Sequence, residues 1–449
     1  MDKKTLCLYF QVHQPIRLRK YHFFDIGKNS DYYDDFANRT FTRKIAERSY
    51  LPANHTLLEL IKKYGKNFKV SFSITGLAIE QFRMYAPEVI DSFKELAATG
   101  SVEFLAETYS HSLACLVDEK EFKLQVKRHS DLIKELFGVK PVTFRNTELV
   151  YSDEIGEMVA NMGYTTMLTE GARHILGWKS PDYVYTNSLN PKLKLLLKNF
   201  RLSDDIAFRF SDHSWDQWPL TADKYASWLN AADGEIVNLF MDYETFGEHQ
   251  GADTGIFDFI AALPEQIFKS TDFEFLTPHE AAAKHQPIAP LHVPYPISWA
   301  DEERDLTAWL GNELQNEAFE ELYKTRTKVN ALKDEAILRD FDRLQASDHF
   351  YYMCTKLFSD GAIHSYFTPY DTPYEAFINY MNVLSDFILR VEQATEKLQL
   401  KAEKTKESTK KATRVKTAEK PVKPVTRKTV GEKTVTEKST TKTAVKKKK

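Results

Sequence analysis

A parallel α/β barrel, closed or nearly closed and followed by a helical region, is the fold class this sequence predicts. Three observations carry that prediction. Short β-rich apolar runs alternate with helical patterns through the first 280 residues, the mark of a parallel sheet covered by helices. Seven or eight such units over this length suggest a barrel. Prolines 287, 290, 294 and 296 then mark a break, after which the pattern is helical. A doubly wound open sheet is the alternative, but no GxGxxG or Walker pattern supports a nucleotide-binding version of it.

Taken in order, Thr5–Val12 is the first strand. Leu57, Leu60, Ile61 and Tyr64 fall at helical spacing, with Gly65 where a C-cap belongs. Phe68–Ile74 alternates Phe68, Val70, Phe72 and Ile74 on one face. A helix opens at Pro87 and stops at Gly100. Val102–Thr108 is the next strand. Asp118 and Glu121 form a capping-box pattern before a helix closed by Gly138. Val142–Val150 is a strand, and Ser152 opens a helix that ends at Gly163. Thr165–Thr169, Leu193–Leu202 and Ile236–Tyr243 complete the strand set. Beyond the proline break, Asp305–Gln315, Ala318–Val329, Glu335–Gln345 and Tyr374–Val391 read as helices.

The expected organisation is a catalytic barrel over 1–290, a helical subdomain over 291–395 and a Lys/Thr-rich tail over 396–449. Residues 401–449 carry 18 Lys+Arg against 5 Asp+Glu, whereas 1–400 carry 43 against 59. The chain is an acidic globule with a basic tail. The tail has no aromatic residue, cannot bury enough apolar area to offset its ordering entropy, and is expected to be disordered. It can adhere to polyanions at low salt. An acidic globule does not favour specific nucleic-acid binding, which draws on phosphate neutralisation. Cys7, Cys115 and Cys354 are too few and too far apart for a disulfide framework or a zinc site. The apolar run Leu6–Phe10 is broken by Gln11, His13 and Gln14, so it is no signal segment. Nothing approaches the ~20 apolar residues of a membrane span. The expected location is the cytoplasm.

Polar residues cluster after the apolar strand runs: His13-Gln14-Pro15, Glu107 to His111, Arg145 to Glu148, and Asp242 to His249. In parallel barrels the C-terminal strand ends meet at the active site. A carboxylate in a parallel strand is costly to bury unless it lines a polar pocket. Glu148 and Asp242 are the natural pair. Two carboxylates facing one cleft suit glycoside hydrolysis, one ionised to attack and one protonated for the leaving oxygen. For any single carboxylate, a helix cap or an ion pair competes with that role. His13, Glu107, His111 and His249 are candidates to hydrogen-bond sugar hydroxyls, against ordinary structural roles. Trp299 and Trp309 are candidates to stack on sugar rings, against simple packing. Trp215, with Trp218 in an expected loop after Asp204-Asp205, is a candidate sugar platform. Asp348 interrupts a helical pattern and is a candidate to reach the cleft.

These clusters, with Trp299-Ala300-Asp301 through Trp309-Leu310-Gly311-Asn312, resemble in order and spacing the five signature regions of family 57 glycoside hydrolases, most closely its α-amylase group. The resemblance covers residue 7 to about 392. It implies an incomplete, TIM-like parallel (β/α)7 barrel with a C-terminal helical part, with Glu148 as nucleophile, Asp242 as proton donor, and no metal or other cofactor. It places Asp301 in the fifth region. The implied substrate is an α-1,4-glucan oligo- or polysaccharide. Glu248-His249-Gln250 departs from other branches, which carry His followed by tryptophans. Three rivals remain. Glucan transfer uses the same carboxylates. A metal-dependent carbohydrate deacetylase is weakened because no two of the thirteen histidines stand at i, i+4. A catalytically silent glucan-binding protein is disfavoured by the intact carboxylate pair.

Overall fold

The structure, a computed structural model, describes residues 3–356, 368–418 and 425–426. Its centre is β1 (Lys4–Val12). This strand pairs in parallel with β2 (Val70–Ile74) along Tyr9–Val12, with β8 (Ile236–Asp242) along Thr5–Gln11, and with β11 (Phe273–Phe275) along Lys4–Leu6. β3 (Val102–Phe104) continues the sheet beside β2. A second sheet runs in the order β12 (Ala289–Leu291), β6 (Tyr185–Asn187), β7 (Lys194–Lys198), β5 (Thr166–Glu170), β4 (Thr143–Arg145). All its pairings are parallel except β6 with β7. A small ladder joins β9 (Phe246–Gly247) and β10 (Gln250–Gly251).

The two sheets meet at both margins. Ala106, just past β3, bridges Phe144 of β4 in parallel. At the other margin the Asn199 N–H donates to the Asn238 carbonyl, and the Asn238 amide donates to the Leu197 carbonyl. The period of two along β1 sorts its side chains accordingly. Leu6, Leu8, Phe10 and Val12 pack among the flanking helices, while Cys7 and Tyr9 join Leu168, Leu196 and Phe240 in a separate cluster drawn from both sheets.

Several helix signals act as their residue types dictate. Ser152 accepts the Ile155 N–H and caps Asp153–Asn161. Asp118 accepts from Lys120 and Glu121 and caps Glu119–Phe137, which ends on left-handed Gly138. Glu121 does not close the expected box; its carboxylate turns to Arg326 and Gln125. Helix Asp35–Ile45 runs through a π-turn, Ala46–Tyr50, into Leu51–Tyr64.

Some boundaries differ from the sequence reading. The expected strand Val142–Val150 stops at Arg145, and Glu148 sits in a 3₁₀ turn, Thr147–Leu149. The expected strand Leu193–Leu202 stops at Lys198, and Asn199 caps a helix, Phe200–Ala207, which contains Asp204 and Asp205. The last helix, Pro373–Ala418, runs on through 396–418, part of the segment expected to be disordered. Lack of aromatics rules out a packed core but not a helix. Once the helix is nucleated upstream, each further Lys, Glu, Ala or Gln extends it at little cost. Residues 419–424 and 427–449 lie outside the described residues. Residues 1–395 form one compact unit. Among the described residues no helix is long and apolar enough to cross a membrane.

Candidate active site

A cleft of about 440 Å³ opens at the C-terminal ends of β1, β7 and β8. It brings together nine of the sequence-selected residues: His13, His111, Glu148, Asp242, His249, Trp299, Asp301, Trp309 and Asp348. Glu107 lies behind this lining, fully buried. Trp215 does not line the cleft. Its ring packs edge-on against Trp228, 5.9 Å away, at the margin of the helical core, so the apolar body of that loop folds inward.

Glu148 follows β4 on a backbone with φ 55°, beside Leu149 at φ 53°. Left-handed geometry is unfavourable for residues other than glycine and is held here by the surrounding structure. It presents the carboxylate to two donors. His111 Nε2 lies 2.9 Å from Oε1, and the Trp299 indole N–H donates to Oε2 at 2.6 Å. The Trp299 backbone N–H also donates to the Glu148 carbonyl at 3.2 Å. Trp299 therefore grips the carboxylate, a function that sequence reasoning, which weighed stacking against packing, did not include. Its indole lies 5.0 Å from the Arg145 guanidinium and 5.2 Å from the Lys198 ammonium.

Beneath Glu148 runs a relay of buried groups. Glu107 accepts from the Gln11 amide at 3.2 Å and stands 3.5 Å from His111 Nδ1 and 3.9 Å from Arg145. His111 thus lies between two carboxylates. Burial opposes its charge, but the Glu107 and Glu148 carboxylates on either side outweigh burial and push its pKa up to about 9. At neutral pH His111 is a cation. His13 stacks on it with ring centroids 4.0 Å apart. Burial and the His111 charge hold His13 below its ordinary pKa. As a neutral ring, His13 donates through Nε2 to Asp348 at 2.8 Å and accepts at Nδ1 from the Thr75 hydroxyl at 2.9 Å. Thr75 in turn accepts the Ala78 N–H as a helix cap, so its proton is free to point at His13.

The two central carboxylates are driven apart. Burial raises the pKa of Glu148, but the His111 hydrogen bond, the His111 and Arg145 charges and the Trp299 hydrogen bond bring it below the ordinary carboxylate value. For Asp242, at the tip of β8, burial and the Glu148 charge raise the pKa to about 6. Two residues on, Glu244 is pushed up to about 8 by burial and by the charge of Asp242. Glu244 accepts from the Tyr50 hydroxyl and, at 3.1 Å, from the Gln14 amide. Among the described residues no group of three or more His, Cys, Asp or Glu side chains is arranged to hold a metal ion.

Three cations here were given no role by the sequence reading, although Arg145 stood in one of its polar clusters. Arg145 is fully buried, and its three nitrogens make no hydrogen bond among the described residues. Lys198 is held 3.0 Å from Asp204, and Arg304 stands 3.6 Å from the same carboxylate. Arg145 carries a weak local signal, standing three residues before Glu148 at a strand end. Lys198 and Arg304 carry none, because their partners come from separate elements.

An α/β scaffold with two carboxylates of opposed proton affinity in one polar cleft suits a glycoside hydrolase. The model of Glycosyl hydrolase family 57 matches residues 7–294, and the chain belongs to that family. It is 44% identical over 394 residues, 84% of this chain and 83% of the relative, to a Methanocaldococcus jannaschii protein named "Putative alpha-amylase". Alpha-amylase 1 of Dictyoglomus thermophilum is 22% identical over 204 residues, 45% of this chain and 29% of that one. The fold is similar to that of 4-alpha-glucanotransferase from Thermococcus litoralis, with TM-score 0.58, 14% identity, and 78% of this chain and 56% of that chain covered. It is also similar to the alpha-amylase AmyC from Thermotoga maritima, with TM-score 0.55, 11% identity, and 88% and 96% covered.

Proposed function

We propose that the protein is a retaining glycoside hydrolase acting on α-1,4-glucans through a glycosyl-enzyme intermediate. Glu148 is the nucleophile and Asp242 the general acid and base. The observation that carries the reading is the opposed protonation of the pair: Glu148 held ionised by His111 and Trp299, Asp242 raised to about 6. A Glu148 oxygen attacks the anomeric carbon. The bond from that carbon to the glycosidic oxygen breaks, and the Asp242 proton passes to the departing oxygen. Asp242, now ionised, takes a proton from water, whose oxygen displaces Glu148 and restores both groups.

We read His249, Asp301 and Asp348 as binding hydroxyls, His13 as orienting Asp348 through its Nε2 hydrogen bond, and Trp309 as part of the apolar wall. We read the two linked sheets as one incomplete (β/α)7 barrel, with the helices beyond residue 290 completing the cleft. An α-amylase activity agrees with the name of the 44% identical relative. Glucan transfer uses the same two carboxylates and differs only in the acceptor.

The test is incubation with maltoheptaose of the wild type, Glu148→Gln and Asp242→Asn, with products separated by size. Shorter products from the wild type alone support hydrolysis. Products longer than the substrate favour transfer. Near wild-type turnover by either variant overturns the roles given to the pair.

A further inference from the structure

A second hollow, of about 300 Å³, lies beside the cleft and shares a wall with it. Phe200 lines both. It stands between two guanidiniums: Arg173, from the outer hollow, with Cζ 5.3 Å from the ring, and Arg304, from the cleft, at 5.2 Å. The outer hollow also presents Lys179, Asp182, Asn199 and Arg201. Trp178 stands on its rim, between the lining residues Gly177 and Lys179, and is 93% exposed.

An indole left almost wholly in water costs free energy unless something covers it. Lone exposed apolar residues are common, but this one borders a hollow of ligand size. Flat aromatic surface beside several hydrogen-bonding side chains is what a sugar ring needs, with its apolar C–H face and equatorial hydroxyls. Phe200 is the wall the two cavities share, so the hollow lies within reach of a chain that leaves the cleft over its edge.

We propose that this hollow, with Trp178 as its platform, is an outlying subsite for an α-glucan chain long enough to leave the cleft past Phe200. The inference rests on the reading of the cleft as an α-glucan site. The subsite contributes to long substrates and is silent for short ones.

The experiment uses the full chain carrying Glu148→Gln, so that ligand persists, with and without Trp178→Ala. Binding of maltotriose and of soluble amylose is measured by calorimetry, and kcat and KM for both are measured in the otherwise wild-type protein. Loss of one exposed aromatic anchor is expected to weaken amylose binding and raise its KM about tenfold, with maltotriose values and kcat within about twofold. Unchanged amylose affinity overturns the proposal. An equal loss for both ligands also overturns it, because Trp178 would then act through the cleft or the fold. If the wild type neither binds nor cleaves any α-glucan, the reading of the cleft itself falls, and this inference with it. That outcome is distinct from a Trp178 variant that alone behaves as wild type.

Discussion

Replacing Trp299 by Phe keeps an aromatic ring near Arg145 and Lys198 but removes the indole donor on Glu148 Oε2. That bond is 2.6 Å long, links an N–H to an ionised carboxylate, and lies in a largely buried site. Hydrogen bonds to charged groups are worth about 1.5–3 kcal/mol. The bond favours the ionised form, so its loss raises the Glu148 pKa. The His111 contact at Oε1 remains, so the carboxylate stays oriented. The sign follows directly. As the proposed nucleophile Glu148 must be ionised to attack, so the acid limb of kcat/KM against pH moves to higher pH, while the alkaline limb, set by Asp242, stays in place. The assay is a pH profile on maltoheptaose for wild type and variant. A lowered rate with an unmoved acid limb would refute the claim that the indole stabilises the ionised nucleophile.

Two other outcomes follow from the same electrostatics. Arg145 lowers the pKa of both Glu148 and Asp242, so Arg145→Met raises both, and the whole pH–rate bell moves to higher pH. A profile of unchanged position would refute that role. Asp242 and Glu244 have folded pKa values of about 6 and about 8, above the roughly 4 of an unfolded carboxyl. Their contribution to stability is complete below about pH 4 and is lost as pH rises through those values. Melting temperature is expected to fall between about pH 4 and 8, and less steeply in Glu244→Gln. Equal slopes would show that Glu244 stays ionised in the native protein.

Much of this site was legible because strand ends declare themselves. An apolar run that stops at Val12, or at Met241 before Asp242, points to a cleft at the C-terminal ends of the strands. The residues that tune the carboxylates were less legible. Lys198 was read as the middle of a strand, because Leu193–Leu202 is apolar enough to hide the turn at Asn199. Arg304 meets Asp204 across a hundred residues of chain. Trp299 was found, but its hydrogen bond to Glu148 spans 151 residues and no spacing rule encodes it. Trp215 failed as a cleft residue because two tryptophans in a loop say nothing about which way the loop folds. The helix through 396–418 was missed because composition speaks to packing, whereas helix extension needs only a nucleus upstream.

The left-handed backbone at Glu148 sets a trap for anyone breeding a hardier enzyme from this scaffold. His111, Glu148, Leu149, Asp301 and Arg304 all hold positive φ without being glycine. Each such residue stores about 1–2 kcal/mol that a glycine would release. Glu148→Gly would also remove the charge that pushes Asp242 upward. A search for heat resistance that reads only this strain would choose glycine, and would lose the His111 and Trp299 bonds, about 1.5–3 kcal/mol each, along with the proposed nucleophile. The bonds that Glu148 accepts, and not its backbone, keep it on this turn.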